Sequence, residues 1–170
     1  MKWIGAILIL FTCTWVGIDI AKNYTKRPKQ IRELLHALQI MEAEMVFGQE
    51  PIHHVLHKLS KQLSPPMSYI FYDISEHLLK SRESLQHIWQ QNLERKWHHT
   101  AMKEREKEVF IQFGQTLGIH NLEQQQKQIH LTKVHLQREL NDAAEDEKRF
   151  SNMFRALGVL SGLLLTLIFL

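Results

Sequence analysis

The apolar positions of this chain fall into stripes with a helical period, and the longest stripe is the last. Counted in heptads from Leu122, one seam carries Leu122, Ile129, Leu136, Leu140, Ala143, Phe150, Phe154 and Leu157, interrupted by Gln126, Lys133 and Glu147. That spacing predicts a single helix opening at a cap on Asn121. Past Arg155 the stripe widens to the whole circumference, because ALGVLSGLLLTLIFL (156–170) carries no charge. A helix apolar all round is expected in a bilayer, so the last polar-faced helix is predicted to run directly into a membrane segment. The run rises only about 23 Å, so a full span requires Met153 and Phe154 to join it while Arg155 snorkels, or the bilayer to thin.

The start of the chain has the same character. Lys2 precedes an apolar run from Trp3 to Ile18, closed by Asp19 and continued by Ile20 and Ala21 to Lys22. Trp3 to Ala21 rises about 28 Å as a helix, close to the hydrocarbon thickness. A cleaved signal peptide has similar ingredients, but no Ala-x-Ala site follows, and an uncleaved anchor is the expectation. Lys22, Lys26, Arg27 and Lys29 crowd the inner flank of the first run, and Lys148, Arg149 and Arg155 precede the last. The positive-inside rule then places the middle of the chain in the cytoplasm, with both termini pointing away. The expected organisation is an anchor over 1–22, a cytoplasmic bundle over 23–155 and a membrane segment over 156–170, with Lys22 and Arg155 marking the membrane boundaries.

Between the anchors the stripes repeat. Ile31, Leu34, Leu35, Leu38, Met41, Met45 and Val46 make an amphipathic helix whose first turn suits Pro28, with Gly48 after it. Pro51 opens a second stripe of Ile52, Val55, Leu56, Leu59 and Leu63. Ser64, read as a cap before Pro65 and Pro66, opens a third of Met67, Ile70, Phe71, Ile74 and Leu78. After Ser81 to Ser84 a fourth follows at Leu85, Ile88, Trp89 and Leu93. A charged helix or helical turn over 94–108 becomes amphipathic again at Val109, Phe110, Phe113 and Leu117, and Gly118 ends it. The fold class is therefore all-α: an antiparallel bundle of about six soluble helices flanked by two membrane helices, since short links force neighbours to reverse.

Composition narrows the chemistry. The chain of 170 residues has a net charge of +3, with both signs interspersed, so no basic block marks a nucleic-acid groove. The single cysteine, Cys13, lies in the first apolar run, which excludes a disulfide framework and a thiolate zinc cluster. Eleven histidines raise a metal hypothesis, and His53 and His57 share one helix face, yet His54 occupies the place where H-E-x-x-H needs its glutamate. No glycine-rich phosphate loop and no G-x-S-x-G elbow occurs. No catalytic, metal or cofactor residue is expected. Trp89 and Trp97 read as packing residues. Glu42 borders the apolar face of its helix with Glu44 beside it, either as a polar contact between helices or as a docking carboxylate; these two are the candidate partner contacts.

Taken in order, several features resemble a known family. They are the short first anchor, RELLHALQIMEAE from Arg32 to Glu44 with Gly48 and Pro51, then Phe71, Leu78 and Trp89, the segment FGQTLG from Phe113 to Gly118 with Gln125, and Arg155-Ala156-Leu157-Gly158 with Gly162. Over essentially the whole chain this order resembles the stage III sporulation protein AB family of endospore-forming bacteria. That family is similar in turn to the cytoplasmic domain of inner-membrane platform proteins of type II secretion and type IV pilus machines. The resemblance implies an oligomeric, non-enzymatic scaffold in a channel complex of the mother-cell membrane facing the forespore. It also implies partners: the secretion-type ATPase stage III sporulation protein AA and other membrane subunits. The competing expectations are a histidine-dependent membrane metallohydrolase and a helical membrane sensor.

Overall fold

Between the two terminal runs, most of the apolar stripe positions are buried in helices of the computed structural model. It describes the backbone of residues 2–47, 50–118 and 122–169; most side chains before Tyr24 and after Phe150 lie outside the described residues. In chain order the elements are α1 (Lys2–Phe47), α2 (Ile52–Gln62), α3 (Met67–Lys80), α4 (Leu85–Lys96), a 3₁₀ turn (Trp97–His99), α5 (Glu104–Thr116) and α6 (Leu122–Phe169). No strand occurs among the described residues. The chain divides into two compact units, one of Met1–Pro28 with Asn141–Leu170 and the other of Lys29–Leu140.

In the second unit the core is built from the predicted faces. Ile31, Leu34, Leu38 and Met41 of α1 are fully buried, and the core also takes in Val55, Leu56 and Leu59 of α2, Met67, Ile70, Phe71 and Ile74 of α3, Ile88, Trp89 and Leu93 of α4, and Phe110 and Phe113 of α5. Helices α2 to α5 each pack on the next, as short connections between one-faced helices require. At the centre the rings of Phe71, Trp89, Phe110 and Phe113 lie 5.0 to 6.2 Å apart, mostly tilted or edge to face. Those spacings are the ones in which ring edges meet ring faces favourably. The indole Nε1 of Trp89 donates to the Phe110 carbonyl at 2.9 Å, so this buried ring leaves no polar atom unsatisfied.

Three expectations are corrected. Pro28 does not open a helix: it lies inside α1, which is continuous from Lys2 to Phe47. A proline there removes one backbone hydrogen bond, and tertiary contacts in its own turn offset the loss. Just before it, Tyr24 stacks on Phe150 at 5.4 Å and Arg27 reaches Asp146 at 3.5 Å, both within the first unit. Ser64 supplies no side-chain cap to α3, whose capping position is Pro66. With prolines at the next two positions, the first N–H groups that its hydroxyl would meet are missing. The charged region over 94–108 resolves into the end of α4, the 3₁₀ turn, a short loop and the start of α5 at Glu104, which is the helical-turn alternative. There Lys103 N–H donates to Glu106 Oε2 at 3.0 Å, which gives the fully buried glutamate a partner at the start of the helix.

The third correction concerns the membrane. Among the described residues no helix is long and apolar enough to cross a membrane, so the two expected transmembrane helices are not supported as such. The described side chains of the two runs include polar Thr12, Asp19 and Ser161 between apolar positions. Most of Trp3 to Ala21 and of 156–170 lies outside the described side chains, as do Lys22 and Arg155; Gly48 and Asn121 lie outside the described residues altogether. Gly118, the predicted terminator of α5, follows that helix at φ 77°, a left-handed conformation that glycine adopts without a Cβ clash.

Candidate partner-docking site

Glu42 and Glu44 stand near the C-terminal end of α1, and the fold gives each a cation. Lys133 Nζ of α6 donates to Glu42 Oε2 at 2.8 Å, and Lys58 Nζ of α2 donates to Glu44 Oε1 at 2.7 Å. The first pair explains two irregularities of sequence together. Lys133 interrupts the apolar seam of α6 and Glu42 borders the seam of α1, and each is the other's counterion where the helices meet. Glu44 and its hydrogen bond raise the Lys58 ammonium above the usual lysine value, with the carboxylate charge adding to the effect and Glu50 contributing. Lys58 is solvent-exposed, so this pair is screened and exchangeable.

Beside Glu44 lies a shallow cavity of about 150 Å³, lined mainly by Met41, Met45, Ile52, Val55, Leu85 and Leu117, with Glu44, Glu50 and Gln125 contributing polar atoms. An apolar floor with carboxylates among its lining residues can receive a hydrophobic side chain neighboured by lysine or arginine. The sequence pattern located the helix and the two carboxylates. It gave no signal for the cavity, which takes its walls from five separate segments of the second unit.

The described histidines do not converge. His53 and His54 meet edge to face at 4.4 Å, His98 and His99 at 3.9 Å, and His57 lies against Tyr72 at 5.9 Å. Among the described residues no group of three or more His, Cys, Asp or Glu side chains is placed to hold a metal ion. The buried polar contacts serve the fold instead. Asn92 Nδ2 donates to the Ile88 carbonyl at 2.8 Å and lies 3.1 Å from His77 Nδ1, and Gln30 Oε1 accepts from the Ala101 N–H at 2.7 Å. Sequence reasoning missed Asn92, Gln30 and Glu106 as interior groups, because a polar letter in a helical stripe reads as an outer position.

In the first unit the two long helices run antiparallel where Tyr24 and Arg27 meet Phe150 and Asp146. Arg27 is buried with its partner half-exposed, and the Arg149 guanidinium lies 5.6 Å from the centre of the Phe150 ring. Beyond these contacts the described apolar side chains face outward: Trp15, Val16, Met153, Leu157 and Leu160 are all exposed.

Comparison with known proteins covers the whole chain. A family model described as stage III sporulation protein AB matches residues 2–170. The stage III sporulation protein AB of Bacillus subtilis (strain 168) is 42% identical over 168 residues, which is 99% of this chain and 98% of that protein. A solved structure titled stage III sporulation protein AB superposes with a TM-score of 0.69 at 40% identity, covering 73% of this chain and 98% of that one.

Proposed function

This chain belongs to the stage III sporulation protein AB family, and from that premise we propose that it is a non-enzymatic scaffold subunit of a secretion-like sporulation channel complex. In this reading both ends are anchored in the mother-cell membrane around the forespore. The helical bundle lies on the cytoplasmic side and docks an ATPase of the stage III sporulation protein AA type, alongside other membrane subunits.

The observation that carries the reading is the antiparallel meeting of α1 and α6 within the first unit. Tyr24 and Phe150 stack there, and Arg27 pairs with Asp146, so the two apolar ends of the chain leave these contacts in one direction. Trp15, Val16, Leu157 and Leu160 lie farther along the same two helices with their side chains uncovered, which suits lipid or a neighbouring membrane subunit. Lys22 and Arg155 fall at the polar limits of the two runs, as boundary residues would. The acidic, apolar-floored cavity beside Glu44 is the surface offered to a basic partner segment, with Glu42 held behind it by Lys133.

The test is capture of the ATPase by the full-length chain in detergent, together with the sporulation phenotype of its deletion. Glu44→Lys should weaken capture while leaving the helical circular dichroism unchanged. Undiminished sporulation in the deletion strain, with no ATPase retained by the wild-type chain, would remove this proposal.

A further inference from the structure

Helix α3 carries a second stripe on the side away from its core. Met67, Ile70, Phe71 and Ile74 are buried, whereas Tyr69, Tyr72 and Leu79 are 61%, 44% and 60% exposed. With Glu76 these residues follow the spacing i, i+3, i+7, i+10, which is a two-position heptad seam. The seam lies on the far side of the helix from the buried face; His57 of α2 lies beside Tyr72 at 5.9 Å, while Tyr69 and Leu79 at its two ends stay mostly exposed.

The seam is symmetric about Ile74. Tyr69 and Leu79 lie at equal distances on either side of it, and so do Tyr72 and Glu76. We propose that this face of α3 pairs antiparallel with the same face of a second copy of this chain. A two-fold contact of this kind meets its own surface, so every interaction is made twice. Antiparallel heptad layers set Tyr69 against Leu79 of the second copy, and Tyr72 against its Glu76.

Both layers are chemically complementary. Tyr69 forms one wall of a surface cleft of about 400 Å³ that also takes in Pro66, Ile70, Lys96 and His99. Leu79 is the exposed apolar knob at the opposite end of the helix, so each copy supplies one knob and one cleft. In the inner layer the Tyr72 hydroxyl is a donor and the Glu76 carboxylate an acceptor. Lys80 Nζ donates to Glu76 Oε2 at 2.6 Å, which partly neutralises that carboxylate and leaves its other oxygen to accept from tyrosine. The like charges that would meet near the two-fold axis belong to Asp73, and Lys96 pairs with Asp73 within each copy. A single helix of 14 residues per copy makes a small interface, so the dimer is a weak one.

This inference does not depend on the scaffold reading, since a chain that fails to self-associate could still dock an ATPase. It is tested on the full-length chain in detergent, with Cys13 replaced by serine. Tyr69→Cys and Leu79→Cys chains, mixed and mildly oxidised, should cross-link to each other. Tyr69→Cys alone should not, because antiparallel pairing holds those two positions about 15 Å apart along the axis. In sedimentation equilibrium the wild-type chain should dimerise, and Leu79→Asp should weaken that association by about tenfold or more. The helical circular dichroism of Leu79→Asp at room temperature should be retained, because Leu79 is exposed. A monomer at all concentrations, a dimer indifferent to Leu79→Asp, or self-cross-linking of Tyr69→Cys overturns the proposal.

Discussion

Trp89 and Gly114 are packed so closely that a Cβ added to the glycine would lie 2.1 Å from the indole Cδ1. In an exposed helix, replacing glycine by alanine gains about 1 kcal/mol of helix propensity. Here the clash opposes that gain, and the indole has little room to retreat because it is fully buried and tethered to the Phe110 carbonyl. Gly114→Ala is therefore expected to lower stability by about 1–3 kcal/mol, read as a reduced thermal midpoint in circular dichroism. Trp89→Phe, which removes the indole hydrogen bond to the Phe110 carbonyl and part of the central ring packing, should also destabilise, by about 1–3 kcal/mol. Sequence alone places Trp89 in a core stripe and Gly114 in an amphipathic helix. That the two touch depends on how α4 crosses α5, which no one-dimensional spacing contains. Charge makes its own prediction at this scale. The Lys80 hydrogen bond, then its charge, holds the Glu76 carboxyl below its ordinary value of 4.5. The pair's contribution to stability is present above that ordinary value and is lost as the pH falls through the lower folded value. An NMR titration should find the Glu76 midpoint depressed and should find it back near the ordinary value in Lys80→Ala. Because both groups are solvent-exposed, added salt should shrink the difference.

Helix boundaries were legible at several chemical stops, and not where a tertiary contact or a neighbouring proline overrides one. Gly118 ends α5 region at a positive φ, Ser84 caps α4 by accepting from the His87 N–H at 3.3 Å, and Pro51 precedes α2, all positions that turn and cap chemistry marks out. Pro28 carries an equally strong signal and is passed over, because the contacts of Tyr24 and Arg27 hold helical turns around it. The seam of α6 shows a similar limit. Ile129, Leu136 and Ala143 are buried as the heptad requires, while Leu122, counted on the same seam, is half-exposed. Lys133 and Glu42 looked like separate blemishes on two helices and are one ion pair. A double-mutant cycle with Glu42→Gln and Lys133→Met should give a coupling of about 0.2–1 kcal/mol, since both side chains retain some exposure. A coupling indistinguishable from zero at low salt would mean that the two residues merely coincide.

For the molecule as a whole, the all-helical class and the core faces follow from periodicity, because a chain of one-faced helices with short links can bury its apolar stripes only against one another. The membrane assignment is of a different kind. It rests on apolar runs whose side chains lie mostly outside the described residues, and the described ones alone make no helix able to cross a bilayer. What the structure adds is direction: in the first unit α1 and α6 meet antiparallel at Tyr24, Arg27, Asp146 and Phe150. Helices that leave one contact in the same direction carry their ends to the same side. Reporters fused before Met1 and after Leu170 should therefore give the same readout, and both should be non-cytoplasmic if the runs span. The last run is the shorter, and Arg155 must snorkel for it to span, so the carboxyl-terminal reporter is the sensitive one. Leu160→Arg sharpens the measurement. A charge in the middle of a short span raises its insertion cost by about 2.5–3.5 kcal/mol, which should return the carboxyl-terminal reporter to the cytoplasm and leave the amino-terminal reporter unchanged. If Leu160→Arg moves neither reporter and the carboxyl terminus is cytoplasmic from the outset, the end of α6 lies along the membrane or against another subunit.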